Sequence, residues 1–239
     1  MAVMLQNGEA VPDGEGALRV RMQGATGTGV SGLSPVGWLG VLAVLGPIVT
    51  LFVVTQVLGL HPARALRDPA AYLAYPFYVG GFSHLGVLGW WSAAAFGALG
   101  ALTLPGGSTE RQAMQWAALL SAMLAVDDLF MVHEEVVPTY AGISEVVPIG
   151  LLGIVAVVYL WRFRALHLRI APVLLALALL FLGGSVALDQ LRHGGADESG
   201  IGVLFEDGAK LTGICCWALY HGVLARSLLL CRMRPRGAR

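Results

Sequence analysis

The sequence predicts an all-α protein, a polytopic transmembrane helical bundle of about six spans with cytoplasmic N- and C-termini. Three observations predict it. Of 239 residues, 56% are hydrophobic and only 13% charged, about half the roughly 25% charge of soluble domains. Apolar runs cover 35–60, 78–104, 112–137, 146–161, 170–191 and 201–230, and most exceed the roughly 20 residues that cross a bilayer as helix. Only helices and closed barrels satisfy their backbone in lipid, and these runs are too long and continuous for barrel strands.

Residues 1–34 are polar and glycine-rich (GEGALRVRMQGATGTGVSG) and lack the basic and apolar regions of a signal peptide. They read as a flexible cytoplasmic tail, followed by a six-helix transmembrane domain over 35–231 and a basic cytoplasmic tail over 232–239. The second run holds His84 in a glycine-rich stretch, YVGGFSHLGVLG, where helix backbones can approach closely. The third carries AVDDLFMVHEEVVP, the fifth ends in VALDQLRH and the sixth opens with LFEDGAK. The fourth is the shortest and starts near Pro148. No internal repeat stands out, which gives an inverted-repeat transporter no direct support.

Basic residues orient the spans. Arg162, Arg164 and Arg169 crowd the fourth connection, Arg226, Arg232, Arg234, Arg236 and Arg239 the C-terminal end, and Arg19 and Arg21 the N-terminal tail. Six crossings place all three groups in the cytoplasm and the chain in a bacterial-type inner (plasma) membrane. Arg64 and Arg67, in the first outer loop, run against the rule. The formal net charge of zero offers no footprint for nucleic acid. Cys215, Cys216 and Cys231 have no metal-knuckle or CxxC spacing and read as packing residues. Trp90, Trp91 and Trp116 read as packing or interface anchors.

Ionisable groups at membrane depth cost roughly 2.5–3.5 kcal/mol each and usually mark function. Followed through alternating spans, His84, Asp127, Asp128, His133, Glu134, Glu135, Asp189, His193, Glu206, Asp207 and Lys210 all fall toward the outer leaflet. If the third run stays helical, Asp127 and Glu134 share a face about 10.5 Å apart, and His133 points about 120° away from Asp127. His221 lies about 22 Å below Glu206 along the last span, with no second cluster expected around it.

Seven acids against Arg192, Lys210 and three histidines need neutralising by protons, by a cation or by water. Mixed carboxylate and imidazole ligation suits iron, manganese or zinc. His84, Asp127, Glu134, Asp189 and Glu206 are the candidate ligands, with His193 as an alternate. A spare carboxylate, Asp128 or Asp207, is the candidate general base, and Lys210 completes the catalytic set. The structural alternative makes Asp127 and Asp128 a buried ion pair with Lys210, with Lys210 a counter-ion to Glu206 or Asp127, and makes His133 to Glu135 a solvated helix end before Pro138. The leading expectation is a metal-dependent membrane hydrolase or oxidase with a lipid or other amphipathic substrate. A proton- or cation-coupled transporter and a structural subunit with buried ion pairs are the rivals.

Two short motifs resemble known families. Glu206 and Lys210 in FEDGAK are spaced like the Asp-x-x-x-Lys turn of microbial rhodopsins, which implies seven helices and a lysine at mid-membrane; six runs and a shallow Lys210 differ. Ser83–His84 and the aspartates are similar in kind to the membrane hydrolases that include alkaline ceramidases. The histidine pair four apart on their last helix is missing, since only His221 is present there. Neither motif assigns a family.

Overall fold

The computed structural model describes residues 35–57, 59, 69–76, 78–193 and 200–233. The tail over 1–34 and residues 234–239 lie outside the described residues. The chain divides into two compact units, one up to Tyr75 and one from Pro76 onward. Among the described residues every regular element is helical.

The first unit contains α1 (Pro35–Val57) and the short α2 (Pro69–Leu73). α1 carries no charge over its 23 residues and is apolar all round, the pattern of a helix surrounded by apolar material. Its Thr55 hydroxyl donates to the Phe52 carbonyl at 2.7 Å, which keeps the hydroxyl satisfied without a neighbour.

The second unit runs α3 (Gly81–Thr103), α4 (Thr109–Phe130), a π-helical segment (Val132–Ala141), α5 (Val146–Arg162), α6 (Arg164–His167), α7 (Pro172–His193) and α8 (Gly200–Met233). Local chemistry sets its ends. Gly80 enters α3 with φ 74°, a conformation that costs glycine nothing. The Ser108 hydroxyl caps α4 by accepting the Arg111 N–H at 3.1 Å. Pro172 opens α7 at the position where its missing N–H is harmless.

Small residues let these helices meet. A side chain at Gly97 of α3 would stand 2.6 Å from the Ala118 backbone of α4. One at Gly213 of α8 would stand 2.8 Å from the Leu182 backbone of α7. Gly89 makes room for Ile214, which joins α3 to α8. Ala93, Ala113, Ala117, Ala125 and Ala178 are fully buried in the same seams. Such small-residue seams are how helices associate in lipid, where burial of apolar area gives no driving force.

α3, α4, α7 and α8 are long and apolar enough to cross a membrane. Leu102, Leu119, Leu180 and Leu219 project outward from them, each at least 60% exposed. Apolar belts of that extent belong in lipid, and the protein is a membrane protein. α5, at 17 residues, is about 25 Å long, short of the roughly 30 Å hydrocarbon core.

Candidate functional site

The charged site begins where α4 stops. The third run is not one helix: Met131 takes φ 48°, and the chain turns there. Met131 N–H still donates to the Asp127 carbonyl. The Asp127 carboxylate then receives the incoming strand of the turn: Oδ1 accepts the His133 backbone N–H at 3.1 Å, and Oδ2 pairs with His133 Nδ1 at 2.5 Å. A left-handed non-glycine residue is costly and persists only where its surroundings over-determine it. Two bonds to one carboxylate supply that.

This corrects the expectation that His133 points away from Asp127. The expected 10.5 Å helical spacing of Asp127 and Glu134 fails for the same reason, because the helix between them is broken. His133 Nε2 faces Glu134 Oε1 at 3.3 Å. Its hydrogen bond to Asp127, then that to Glu134, raise the imidazole from 6.5 to about 9. His133 is therefore charged at neutral pH, between two carboxylates.

One residue along, Asp128 pairs with Lys210 of α8 at 2.5 Å. This is the buried pair of the structural alternative, made by Asp128, while among the described residues Glu206 and Asp127, the other counter-ions considered for Lys210, do not pair with it. Asp128 leans toward α3, where Gly86 leaves it space: a side chain at Gly86 would come within 3.4 Å of Oδ2.

Two hollows flank this ion pair. A cleft of about 430 Å³ is lined by α4, α5, α7 and α8, a size typical of small-molecule sites. Trp90, Leu120, Leu124, Ile149, Leu152, Leu179, Leu182, Val186 and Trp217 form its apolar walls. Asp127, Asp128, His133, Glu134, Asp189, Glu206 and Lys210 also line it. A second hollow of about 360 Å³ lies among Gly81, Phe82 and Ser83 at the start of α3, Asp128, Glu134, and Asp207 and Lys210 of α8.

Of the nine residues singled out in the sequence, the structure brings Asp127, Asp128, Glu134, Asp189, Glu206 and Lys210 to one cleft and Asp207 to the adjoining hollow. His84 stays apart. It is exposed, lines neither hollow and folds back over Gly80. The His193 side chain lies outside the described residues. No group of three or more His, Cys, Asp or Glu among the described residues is arranged to hold a metal ion. The geometry gives one reason: both oxygens of Asp127 are already engaged by His133.

A second polar cluster, absent from the sequence reading, lies below the cleft. His221 Nδ1 donates to the Trp217 carbonyl at 2.9 Å. A carbonyl only accepts, so Nδ1 carries the hydrogen and Nε2 accepts from the Tyr159 hydroxyl at 3.1 Å. His167 Nδ1 pairs with the Tyr220 hydroxyl at 2.6 Å. Trp217 Nε1 donates to Ser121 Oγ at 3.0 Å and packs edge-on against Trp90, centroids 6.2 Å apart. Tyr159, Tyr220, His221 and Ser121 are fully buried and His167 nearly so. Burial lowers His167, between α5 and α7, from 6.5 to about 4, and it is neutral. The available signal was Trp217, Tyr220 and His221 within one turn of α8, polar-edged side chains on one face of an apolar helix.

The chain matches a family model over residues 38–224, described as a domain of unknown function, DUF8692. It belongs to that family. No curated protein and no solved structure matches it.

Proposed function

We propose that this DUF8692 member is an integral membrane enzyme that takes an amphipathic molecule into the cleft and performs acid–base chemistry on its polar head. One observation carries the reading: an apolar cleft of small-molecule size includes the Asp127–His133 pair in its lining. In this scheme Asp127 holds Nδ1, and Nε2, which faces Glu134 at 3.3 Å, turns from that carboxylate to give its proton to a departing oxygen or nitrogen. A cleft carboxylate, Glu206 or Asp189, takes a proton from the attacking water. Lys210 pairs with Asp128, holds it in place and does not attack. Six spans, cytoplasmic termini and a bacterial-type inner membrane complete the proposal, supported by the six apolar helices α1, α3, α4, α5, α7 and α8 and by the arginine distribution.

The test uses purified protein in nanodiscs of native lipid extract, with products read by mass spectrometry and metal by elemental analysis. His133→Ala and Asp127→Asn should lower turnover by roughly 10²–10⁴-fold while the amphiphile stays bound. Turnover that survives both substitutions rejects the acid–base role. Stoichiometric iron, manganese or zinc, lost with Asp127→Ala and Glu206→Ala, would restore the metal-dependent form of the enzyme.

A second reading, a proton-coupled carrier, gains one observation. The sequence shows few polar groups in the inner half of the bundle, yet the His–Tyr pairs lie there, beneath a Trp217 that also lines the cleft. Reconstituted vesicles separate the readings. pH-driven uptake abolished by His221→Phe supports the carrier, and its absence leaves the enzyme.

A further inference from the structure

We infer that the corner between α5 and α6 is a docking site for anionic phospholipid, made by Arg162 and Arg164 with their guanidiniums laid on aromatic rings. The inference goes beyond the cleft chemistry and uses none of it. It uses only the membrane setting of the bundle.

The corner is pinned from inside. Tyr159, Phe163 and His167 follow one another at intervals of four residues, and all three are buried. The Tyr159 hydroxyl donates to His221 Nε2 at 3.1 Å, and His167 Nδ1 pairs with the Tyr220 hydroxyl at 2.6 Å. Both sides of the turn are thereby fastened to α8. The buried polar cluster, which the acid–base scheme leaves unused, fixes the backbone from which the arginines project.

The outer face is basic and aromatic. Trp161, Arg162, Arg164, Leu168 and Arg169 are exposed, Trp161 at 70%. The Arg164 guanidinium lies over the Trp161 ring, 4.8 Å from its centroid, and Nη1 donates to the Trp161 carbonyl at 3.2 Å. The Arg162 guanidinium lies over the Phe163 ring at 5.2 Å. A guanidinium has five N–H bonds in its plane, a fork that matches two oxygens of a phosphate. Contact with a ring uses the flat face and leaves that edge for an anion. Stacking also fixes the side chain in advance, which lowers the ordering cost of binding.

Charge and depth name the occupant. No acid occurs from Val146 to Leu188, nor after Lys210 in α8. Toward this end of the bundle the acid among the described residues is Glu110, at the start of α4, and Arg111 follows it. A phosphodiester at the corner therefore meets no competing carboxylate from α5 or α6. With 17 residues, α5 is about 25 Å long against a hydrocarbon core of roughly 30 Å. Its closing arginines thus lie at the hydrocarbon edge, the level of lipid phosphates, where an exposed tryptophan also settles. A phosphocholine head brings its own cation, which the arginines repel. A phosphoglycerol head brings the negative charge alone.

Native mass spectrometry of the full chain would compare retention of two lipids with identical acyl chains, one with a phosphoglycerol head and one with phosphocholine. Wild type should prefer the anionic lipid by roughly ten-fold. Arg162→Gln with Arg164→Gln should remove most of that preference while thermal unfolding stays near wild type. Arg162→Lys with Arg164→Lys keeps the charge and should still lose most of it, because an ammonium has no flat face for a ring and no fork for a phosphate. Arg226→Gln, which removes an exposed arginine of α8, should leave the preference unaltered. An equal loss in Arg226→Gln would make the attraction a matter of net charge and overturn the site. Full preference in the lysine variant, or equal retention of the two lipids by wild type, would also overturn it.

Discussion

The two polar regions of the bundle solve the same problem in opposite ways. At the charged end, opposite charges meet side chain to side chain: His133 with Asp127 and Glu134, Lys210 with Asp128. That end borders two hollows and is partly open. Beneath the cleft, the polar groups are neutral, closed in and joined by side-chain hydrogen bonds among Tyr159, His167, Ser121, Trp217, Tyr220 and His221. Charge is retained where open space adjoins it. Where there is no space, the sequence uses aromatic rings with polar edges, which fill volume and satisfy most of their hydrogen bonds; His167 Nε2 is the buried ring atom among the described residues that finds no partner.

The largest expected effect breaks the charged end. Lys210→Ala leaves Asp128 buried without its partner and should cost about 3 kcal/mol. The double change Asp128→Leu with Lys210→Met should recover most of that, since a buried pair can be replaced by apolar residues. Thermal unfolding of the purified variants in one detergent measures both. If the double variant is no more stable than Lys210→Ala, the pair is not the source of the loss.

The closed end should respond less. Ser121→Ala strands the Trp217 Nε1–H, and Tyr159→Phe strands His221 Nε2; each should cost about 1–3 kcal/mol. Unlike changes at His133, they should leave turnover near wild type once the protein is folded.

pH sharpens the contrast, because the two histidines shift in opposite directions. His133 is raised from 6.5 to about 9. Its contribution to stability is complete below pH 6.5 and is lost as pH rises through 9. His167 is lowered to about 4. Its contribution is present above pH 6.5 and is lost as pH falls toward 4. Stability should peak near pH 6.5, with an alkaline limb absent in His133→Gln and an acid limb absent in His167→Phe. An unchanged alkaline limb in His133→Gln would separate that histidine from the linkage.

The smallest effect concerns His84. Exposed and away from both hollows, His84→Ala should stay within about 0.5 kcal/mol of wild type and leave activity unaltered. Loss of activity would return it to the site.

The gathering of acids was legible in the sequence because alternating spans impose depth. Asp128 from α4, Asp189 from α7 and Glu206 and Lys210 from α8 reach one cleft for that reason. Rotation about each helix was less legible: an aspartate pair with Lys210 could be foreseen, but not that Asp128 rather than Asp127 or Glu206 would make it. The break at Met131 was not legible at all. No glycine or proline stands there, and the left-handed turn is held by a side chain six residues from its partner. The buried cluster was hidden because Tyr159 and His221 are 62 residues apart and His167 and Tyr220 are 53 apart. Each alone looks like an ordinary member of an apolar helix.

The amphipathic molecule proposed for the cleft between α4, α5, α7 and α8 can be looked for directly. Gly153 and Gly183 line it, and a side chain at either meets nothing within 4 Å, so Gly153→Leu with Gly183→Leu should fill the cleft without disturbing the helices. Native mass spectrometry of wild type and this double variant, taken from the same membranes, is the direct measurement. Wild type should retain one amphiphile that the folded variant releases. Equal retention by both, or none by wild type across all lipids offered, would contradict it.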